Sequence, residues 1–373
     1  MSIQQWYKDY KINHVNITPH LWQMHTIMDL AEMAIDSRYL NPVSNELTKN
    51  HTIYRSWNDY YKNLTFKDGK RRIVVSLSGG VDSMSLLYTI KNWKDNTRND
   101  IDIVALHINF NNRKESYLES LYLQNWCKQL GIKLYVYEIK DYKRVDQDRE
   151  EYEKTTRDLR FTLYKEMMTS YEGGVVLGHI KEDVEENFLR NILTHVNLFN
   201  ILGMKNLSNI SSVNIMRPFL GVSKDDIYDF AKKFSVPYFK DTTPDWSIRG
   251  RFRRRLKPEM EDIFGKKIGE SFIEMGEMLQ DLGKWFRTHY VKAYLHLILY
   301  YDNCIEFPYE NEMPDIFWNI VIEDIFHNLK QSKPSHKTIK IMIKIIQDKK
   351  ERSIEIKKGV TGEFKNGRFF IRY

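Results

Sequence analysis

A β-branched apolar run, Arg72-Ile73-Val74-Val75-Ser76-Leu77, passes directly into Ser78-Gly79-Gly80-Val81-Asp82-Ser83 and then into Met84-Ser85-Leu86-Leu87-Tyr88. The first stretch reads as a buried strand, and the last has the apolar spacing of a helix packed on a sheet. A strand, a glycine turn and a helix start leave backbone N–H groups aimed at whatever lies beyond the helix terminus, which is how proteins bind phosphate. Gly79 and Gly80 let the backbone come close to a ligand. Ser78 and Ser83 add hydroxyls, and Asp82 adds a carboxylate suited to Mg2+ or a hydroxyl. No Lys follows the glycines, which excludes the G-x-x-x-x-G-K-[ST] loop that holds a γ-phosphate.

From Arg71 onward, strand and helix patterns alternate. The stretches Ile101 to Ile108, Lys133 to Ile139 and Gly174 to His179 read as further strands; Glu115 to Leu130, Arg149 to Thr169 and Glu182 to Leu193 read as helices. This order, with right-handed crossovers, predicts an α/β fold with a doubly wound, Rossmann-like parallel sheet. Ligands bind such sheets at the carboxyl ends of the strands. Ser78, His107 and His179 all fall at those ends, so three segments are expected to converge on one crevice. Residues 1–70 read as an aromatic-rich helical extension, with a helix around Leu21 to Ile35 stopped by Asn41-Pro42. After Pro258 the pattern is largely helical, with amphipathic stretches around Phe272 to Trp285 and Ile316 to Phe326. The tail reads as a helix, Thr338 to Ile346, and short strands at Ser353 to Ile356 and Arg368 to Ile371 around a turn at Lys365-Asn366-Gly367. The expected organisation is a helical extension (1–70), an α/β nucleotide-binding domain (71–257), a helical region (258–330) and a small α+β domain (331–373).

Composition narrows the class. A chain of 373 residues with 42% hydrophobic content is long enough for two or three packed cores. No apolar run reaches the roughly 18 residues that a membrane span needs, and Met1-Ser2-Ile3-Gln4-Gln5-Trp6 has the pattern of no targeting segment. The two cysteines, Cys127 and Cys304, stand far apart, which excludes a disulfide scaffold and a C-x-x-C metal site within the chain. That usage fits a reducing compartment. The net charge of +7 is unevenly spread: Arg249-Gly250-Arg251-Phe252-Arg253-Arg254-Arg255-Leu256-Lys257 holds six cations in nine residues. Such a run reads either as a phosphate-backbone footprint or as a solvated basic helix.

Two further segments carry chemistry. In His107-Ile108-Asn109-Phe110-Asn111-Asn112-Arg113-Lys114-Glu115-Ser116, a His and an Arg beside the glycine loop can neutralise phosphate or fix a base edge; Ser116 and Glu119 also have capping-box spacing. In Gly178-His179-Ile180-Lys181-Glu182-Asp183-Val184-Glu185-Glu186-Asn187, the residues Asp183, Glu186 and Asn187 share one helix face. Carboxylates there are natural Mg2+ ligands or hold an incoming cationic amine, although the helix macrodipole alone accounts for Glu182 and Asp183.

S-G-G-x-D-S resembles the signature of the PP-loop family, whose members cleave ATP to AMP and pyrophosphate. His107, Asn109, Arg113, Glu115 and Ser116 resemble the second motif, H-x-N-H-x-x-R-x-E-S, of one branch, the tRNA(Ile)-lysidine synthetases. The His179 segment resembles that branch's A-H-H-x-D-D-x-x-E-[TN], with Ile180 for the second His and Glu182 for the first Asp. Thr156-Arg157-Asp158-Leu159-Arg160-Phe161 resembles its R-x-x-R-[YF] helix. Met216-Arg217-Pro218-Phe219-Leu220, Pro237 to Asp241 and Arg249 to Arg253 resemble R-P-L-L … P-x-x-x-D … R-N-x-x-R, with Gly250 for Asn. Thr194 to Asn200 replaces a family stretch rich in Gly and Ser.

The resemblance implies ATP-dependent modification of a tRNA base in the cytoplasm. ATP would adenylate the wobble cytidine, and lysine or another small amine would displace AMP. Ser78, Gly79, Gly80, Val81, Asp82 and Ser83 are expected to bind ATP, with Asp82 and Asp183 toward Mg2+. Asp82, His107, Arg113, His179, Asp183 and Glu186 are the expected catalytic set. Arg217, Arg249, Arg251, Arg253, Arg254 and Arg255 are the expected RNA contacts. The alternatives are a PP-loop tRNA thiolase, which usually needs cysteine pairs, and an inactive tRNA-binding homologue.

Overall fold

The computed structural model describes residues 48–66, 69–110, 116–139, 149–194, 198–239, 248–309, 313–348 and 351–373. The helix expected at Leu21 to Ile35 lies outside them. The chain divides into two compact units, one of residues up to Thr194 together with Leu202–Glu274, the other of His195–Ile201 with Met275–Tyr373.

The first unit is built on a six-stranded sheet of β1 (Arg71–Ser76), β2 (Asp102–Asn109), β3 (Lys133–Glu138), β4 (Glu172–Val176), β5 (Leu207–Ile210) and β6 (Val213–Met216), in the order β3-β2-β1-β4-β6-β5. Five strands run parallel, and β5 closes the edge antiparallel to β6. In β1 the consecutive Ile73, Val74 and Val75 are all fully buried, as a strand covered on both faces requires. Alternation sends them to different cores. Ile73 and Val75 join a cluster with Met84, Leu87 and Ile90 of the helix Val81–Thr97, Trp126 of the helix Ser116–Gln129 and Phe230 of the helix Lys224–Lys233. Val74 joins Val104, Val175 and Ile215 under Leu163 and Tyr164 of the helix Arg149–Met168. The strand order reverses direction between β1 and β4, so the crevice that accepts ligands in such sheets opens there.

The four strands read from the sequence are present. The hairpin of β5 and β6 was not foreseen. Its two-residue turn, Ser211-Ser212, carries positive φ at both positions (51 and 65), a geometry that Asn-Gly usually announces. The helix Thr52–Lys62 is part of the first core rather than an appendage, through Ile53, Tyr54 and Trp57.

The second unit holds a five-stranded antiparallel sheet in the order β7-β8-β11-β10-β9, from β7 (Leu299–Tyr301), β8 (Cys304–Pro308), β9 (Arg352–Lys357), β10 (Val360–Lys365) and β11 (Arg368–Arg372). The helices Asp315–Asn328 and His336–Asp348 supply Phe317, Trp318, Ile322, Phe326, Met342 and Ile346 to one core with Ile305, Phe307, Phe369 and Ile371. The boundary expected at 330/331 therefore falls inside this unit, because β8 pairs with β11 across it. The region expected to be helical contains the β7–β8 hairpin. Strand β10 escaped notice because Gly362 interrupts its apolar pattern.

Trp57→Ala should destabilise the first unit by about 3–5 kcal/mol, measured as a shift of the urea midpoint. A shift worth less than about 1 kcal/mol would mean that this helix does not share the core.

Candidate active site

The loop after β1 is shaped by its own side chains. The Ser83 hydroxyl donates to the Gly80 carbonyl at 3.0 Å and accepts from the Ser78 N–H at 3.2 Å, while the two serine hydroxyls lie 3.1 Å apart. Gly80 is the N-cap of the helix Val81–Thr97, and no side chain caps that terminus. The first-turn N–H groups therefore keep their capacity to bind an anion. Gly79 has φ +83, and a Cβ there would lie 2.5 Å from the Phe239 ring. Phe239 N–H also donates to the Gly79 carbonyl at 2.9 Å, so the segment after the helix Lys224–Lys233 is laid against the loop. From the other side Gly178 follows β4, where a Cβ would lie 3.0 Å from the Asp82 carbonyl carbon and 3.1 Å from the Ser83 nitrogen. Glycines thus let three segments meet at the crevice.

Asp82 sits in the first helical turn. Both of its carboxylate oxygens accept from Lys224 Nζ, at 2.8 and 2.9 Å. Burial pushes the Asp82 pKa upward, and the Lys224 ammonium opposes that. Lys224 was not singled out in the sequence. Nothing in the pattern sets it, six residues beyond Pro218, apart from a surface lysine.

His107 is buried in β2 with both ring nitrogens engaged. Nδ1 donates to the Leu77 carbonyl at 2.8 Å, as a carbonyl can only accept, and Nε2 lies 3.1 Å from the Ser120 hydroxyl. It ties the end of β1 to the helix Ser116–Gln129 and so helps to position the start of the loop. Arg113 lies outside the described residues.

His179 stands after β4. Arg217 Nε donates to its Nδ1 at 3.1 Å, which leaves the neutral ring with its proton on Nε2. Burial, opposed by Asp183 and reinforced by Arg217, Arg249 and Arg160, holds its pKa down to about 4. Arg217 is itself buried, and its remaining donors reach the Lys205 carbonyl at 3.0 Å and the Ser208 hydroxyl at 3.1 Å. Grouped with the RNA contacts in the sequence, it is here a support for His179, because its guanidinium is enclosed by these partners.

The acidic face and the basic run, read as separate motifs, form one cluster. On the helix Lys181–Leu193, Asp183, Glu185 and Glu186 are all buried. Arg253 reaches Asp183 Oδ1 at 2.8 Å and Glu186 Oε2 at 3.3 Å; Arg249 Nε reaches Glu186 Oε1 at 2.8 Å; Lys257 Nζ reaches Glu185 at 2.8 Å. The cations come from the helix Ile248–Arg251, a π-helical turn at Phe252–Leu256 and the helix Lys257–Phe264. Burying three carboxylates without such partners would cost several kcal/mol each. Arg251, Arg254 and Arg255 are exposed. Asp183 Oδ2 also accepts from the Ile180 N–H at 3.0 Å and so fixes the start of its own helix.

Among the described residues no group of three or more His, Cys, Asp or Glu is arranged to hold a metal ion. A shallow cavity of about 640 Å³ lies away from the crevice, lined by Gly69, Lys70, Arg71, Asp100, Asp102 and Tyr171 at the amino-terminal ends of β1 and β2. It contains none of the candidate residues.

A parallel sheet whose central strand ends in a glycine–serine loop at an uncapped helix terminus, with a carboxylate in the first turn, defines a nucleotide-binding α/β domain of the PP-loop class. Residues 49–260, more than half of the chain, match the PP-loop domain family, and the chain belongs to that family. The tRNA(Ile)-lysidine synthase of Chlamydia pneumoniae is 28% identical over 221 residues, covering 58% of this chain and 66% of the relative. That of Staphylococcus aureus (strain N315) is 30% identical over 230 residues, covering 59% of this chain and 52% of the relative. The chain thus spans between half and two-thirds of the length of these curated relatives. Among solved structures, the U34-tRNA thiolase NcsA from Methanococcus maripaludis with its 4Fe-4S cluster matches 61% of this chain and 78% of its own, at 18% identity and a TM-score of 0.48. No helix among the described residues is long and apolar enough to cross a membrane.

The buried neutral His179 gives a testable pH dependence. Its ordinary pKa is 6.5 and the folded value is about 4, so the unfolded chain binds the extra proton between those values. Stability contributed by the neutral ring is complete above pH 6.5 and is lost as pH falls toward 4, by roughly 3 kcal/mol at most. Urea unfolding at pH 7.5 and pH 4.5 should show a smaller difference for His179→Gln than for the wild type. Equal differences would remove His179 as the source.

Proposed function

We propose that this protein modifies a tRNA base at the expense of ATP, in a reaction of the lysidine-forming type, in the cytoplasm. The observation that carries the reading is the intact Ser78–Ser83 loop on an uncapped helix terminus, opening into the same crevice as the buried Asp183 and Glu186. The relatives' names supply the tRNA and the lysidine product.

In this reading the loop N–H groups and hydroxyls bind the ATP phosphates. The C2 oxygen of a cytidine attacks the α-phosphorus, and the bond to pyrophosphate breaks. The lysine ammonium gives a proton to solvent, the neutral amine adds at C2, and the bond to AMP breaks. Most of the work is positioning and charge neutralisation. Mg2+ accompanying the nucleotide needs only one or two carboxylates, because phosphate oxygens and water complete its shell. Asp82 and Asp183 fit that need, being close enough for the charge on Asp183 to raise the Asp82 pKa. The ion would offset charge on the departing pyrophosphate. His179 offers a fixed Nε2–H donor. The acidic pair suits a cationic amine, with Arg249 and Arg253 as its resident counter-charges.

Sulfur transfer is the weaker reading. Cys127 is buried and its thiol is pushed up to about 12, which denies it a thiolate. Replacing Cys127 and Cys304 together with Ser should therefore leave modification intact.

Asp82→Ala and Ser78→Ala should abolish tRNA-stimulated pyrophosphate release while the unfolding midpoint stays near the wild type. Mass spectrometry of the treated tRNA should show a lysine adduct on cytidine. A sulfur-bearing nucleoside, or pyrophosphate release by folded Asp82→Ala, would overturn the reading.

The exposed arginines are proposed to hold RNA phosphate. An Arg251/Arg254/Arg255→Ala variant should bind tRNA more weakly, with the slope of log K against log salt shallower by roughly 0.7–0.9 per lost contact. Its ATP affinity should not change. An unchanged slope would make this face a solvated surface.

A further inference from the structure

We propose that Lys224 is a phosphate-binding residue of the crevice, resting on Asp82 and transferring to the pyrophosphate end of ATP when the nucleotide binds. This rests on the ATP-using reading above and adds to it a residue that lies outside the glycine loop.

The first argument is placement. Lys224 opens the helix Lys224–Lys233, where a cation opposes the helix macrodipole. The terminus does not need it, since the Ser223 hydroxyl accepts from the Asp226 N–H at 3.1 Å and Asp225 and Asp226 supply the favourable charge. Its charge is compensated instead across the crevice, on the carboxylate that belongs to the loop.

The second argument is anchoring. The Lys224 backbone N–H donates to Glu182 Oε1 at 2.8 Å, from the segment that follows β4. The neighbouring Lys181 N–H donates to the Val222 carbonyl at 3.0 Å. The main chain around Lys224 is thus fixed twice to the segment after β4, while four methylene groups let its ammonium swing past the Tyr228 ring, whose centroid is 5.4 Å from Nζ. Glu182, which stands in for the first Asp of the family pattern, is the residue that sets this pivot. Its second oxygen, Oε2, is buried and without a hydrogen-bond partner.

The third argument is exposure. The Lys224 and Asp82 side chains keep 28% and 25% of their surface open. A ligand can reach this pair. A phosphate arriving at the loop brings several charged oxygens to the ammonium, where Asp82 offers a single carboxylate. The transfer leaves Asp82 available to the metal that accompanies the nucleotide. No covalent bond changes in this exchange.

The test measures binding of pyrophosphate, ATP and AMP by calorimetry to the wild type, Lys224→Met and Lys224→Arg. Loss of one charge-assisted contact should lower the affinity of Lys224→Met for pyrophosphate and ATP by about tenfold or more, with AMP changed by less than about twofold. Lys224→Arg should recover most of the pyrophosphate affinity. The double variant Asp82→Asn/Lys224→Met removes the unpaired carboxylate and guards against a folding defect; it too should bind pyrophosphate weakly. Wild-type pyrophosphate affinity in Lys224→Met, or an equal loss for AMP and pyrophosphate, would make Lys224 a static counterion and overturn the proposal. A wild type that binds neither ATP nor pyrophosphate overturns this proposal and the ATP reading together. A wild type that binds both but yields no modified cytidine overturns only the proposed reaction.

Discussion

The parallel pairing of β1 with β4 is the interaction on which the rest of this molecule depends. It joins strands far apart in sequence, with register running from Arg71 opposite Glu172 to Val75 opposite Val176. The strand order reverses at this pair, so the helix after β1 covers one face and the helix before β4 covers the other. The backbone beyond both strands is left to turn into a shared gap. Everything chemical in the first unit borders that gap. The Ser78–Ser83 loop leaves β1, His179 and the carboxylate helix leave β4, and Phe239 closes from the side through a main-chain bond to Gly79.

Charge is distributed around this gap by pairing across elements rather than within them. Lys224 meets Asp82, Arg253 bridges Asp183 and Glu186, and Arg217 supports the uncharged His179. Each partner comes from a different stretch of chain. Buried acids and bases in such numbers add little net stability, since desolvation consumes much of the Coulombic gain. Their value lies in fixed orientation: donors and carboxylates held in place reorganise little when a charged ligand arrives.

Much of this was legible in the sequence, for definite reasons. Ile73-Val74-Val75 announces a strand buried on both faces, and Gly79-Gly80 announces a loop that approaches a ligand; both are local signals. The acidic face at Asp183 and Glu186 was equally local, and so was the concentration of arginines after Arg249. Their pairing was not legible, because it joins residues 183 and 253, and no spacing rule reports on such a distance. Arg217 looked like a surface cation for the same reason. Lys224 carried no signal at all, since its meaning comes from Asp82. His107 stood at a strand end as expected, but only the fold could show that Leu77 and Ser120 take up its ring. The β5–β6 hairpin was missed because Ser211-Ser212 adopts a turn usually written with asparagine and glycine.

The arginine cluster decides where this domain can end. Judged by backbone alone, the nucleotide-binding layer is complete at Met216, its last strand, or at Lys233, the end of the helix that covers it. Judged by charge, it is unfinished until Lys257, because Asp183, Glu185 and Glu186 draw their counter-ions from 249 to 257. The matched family region runs to residue 260, just past that point. The stretch from Arg249 to Lys257 is therefore held against the carboxylate helix by ion pairs instead of strands. The domain's edge is thus drawn by electroneutrality rather than by its sheet.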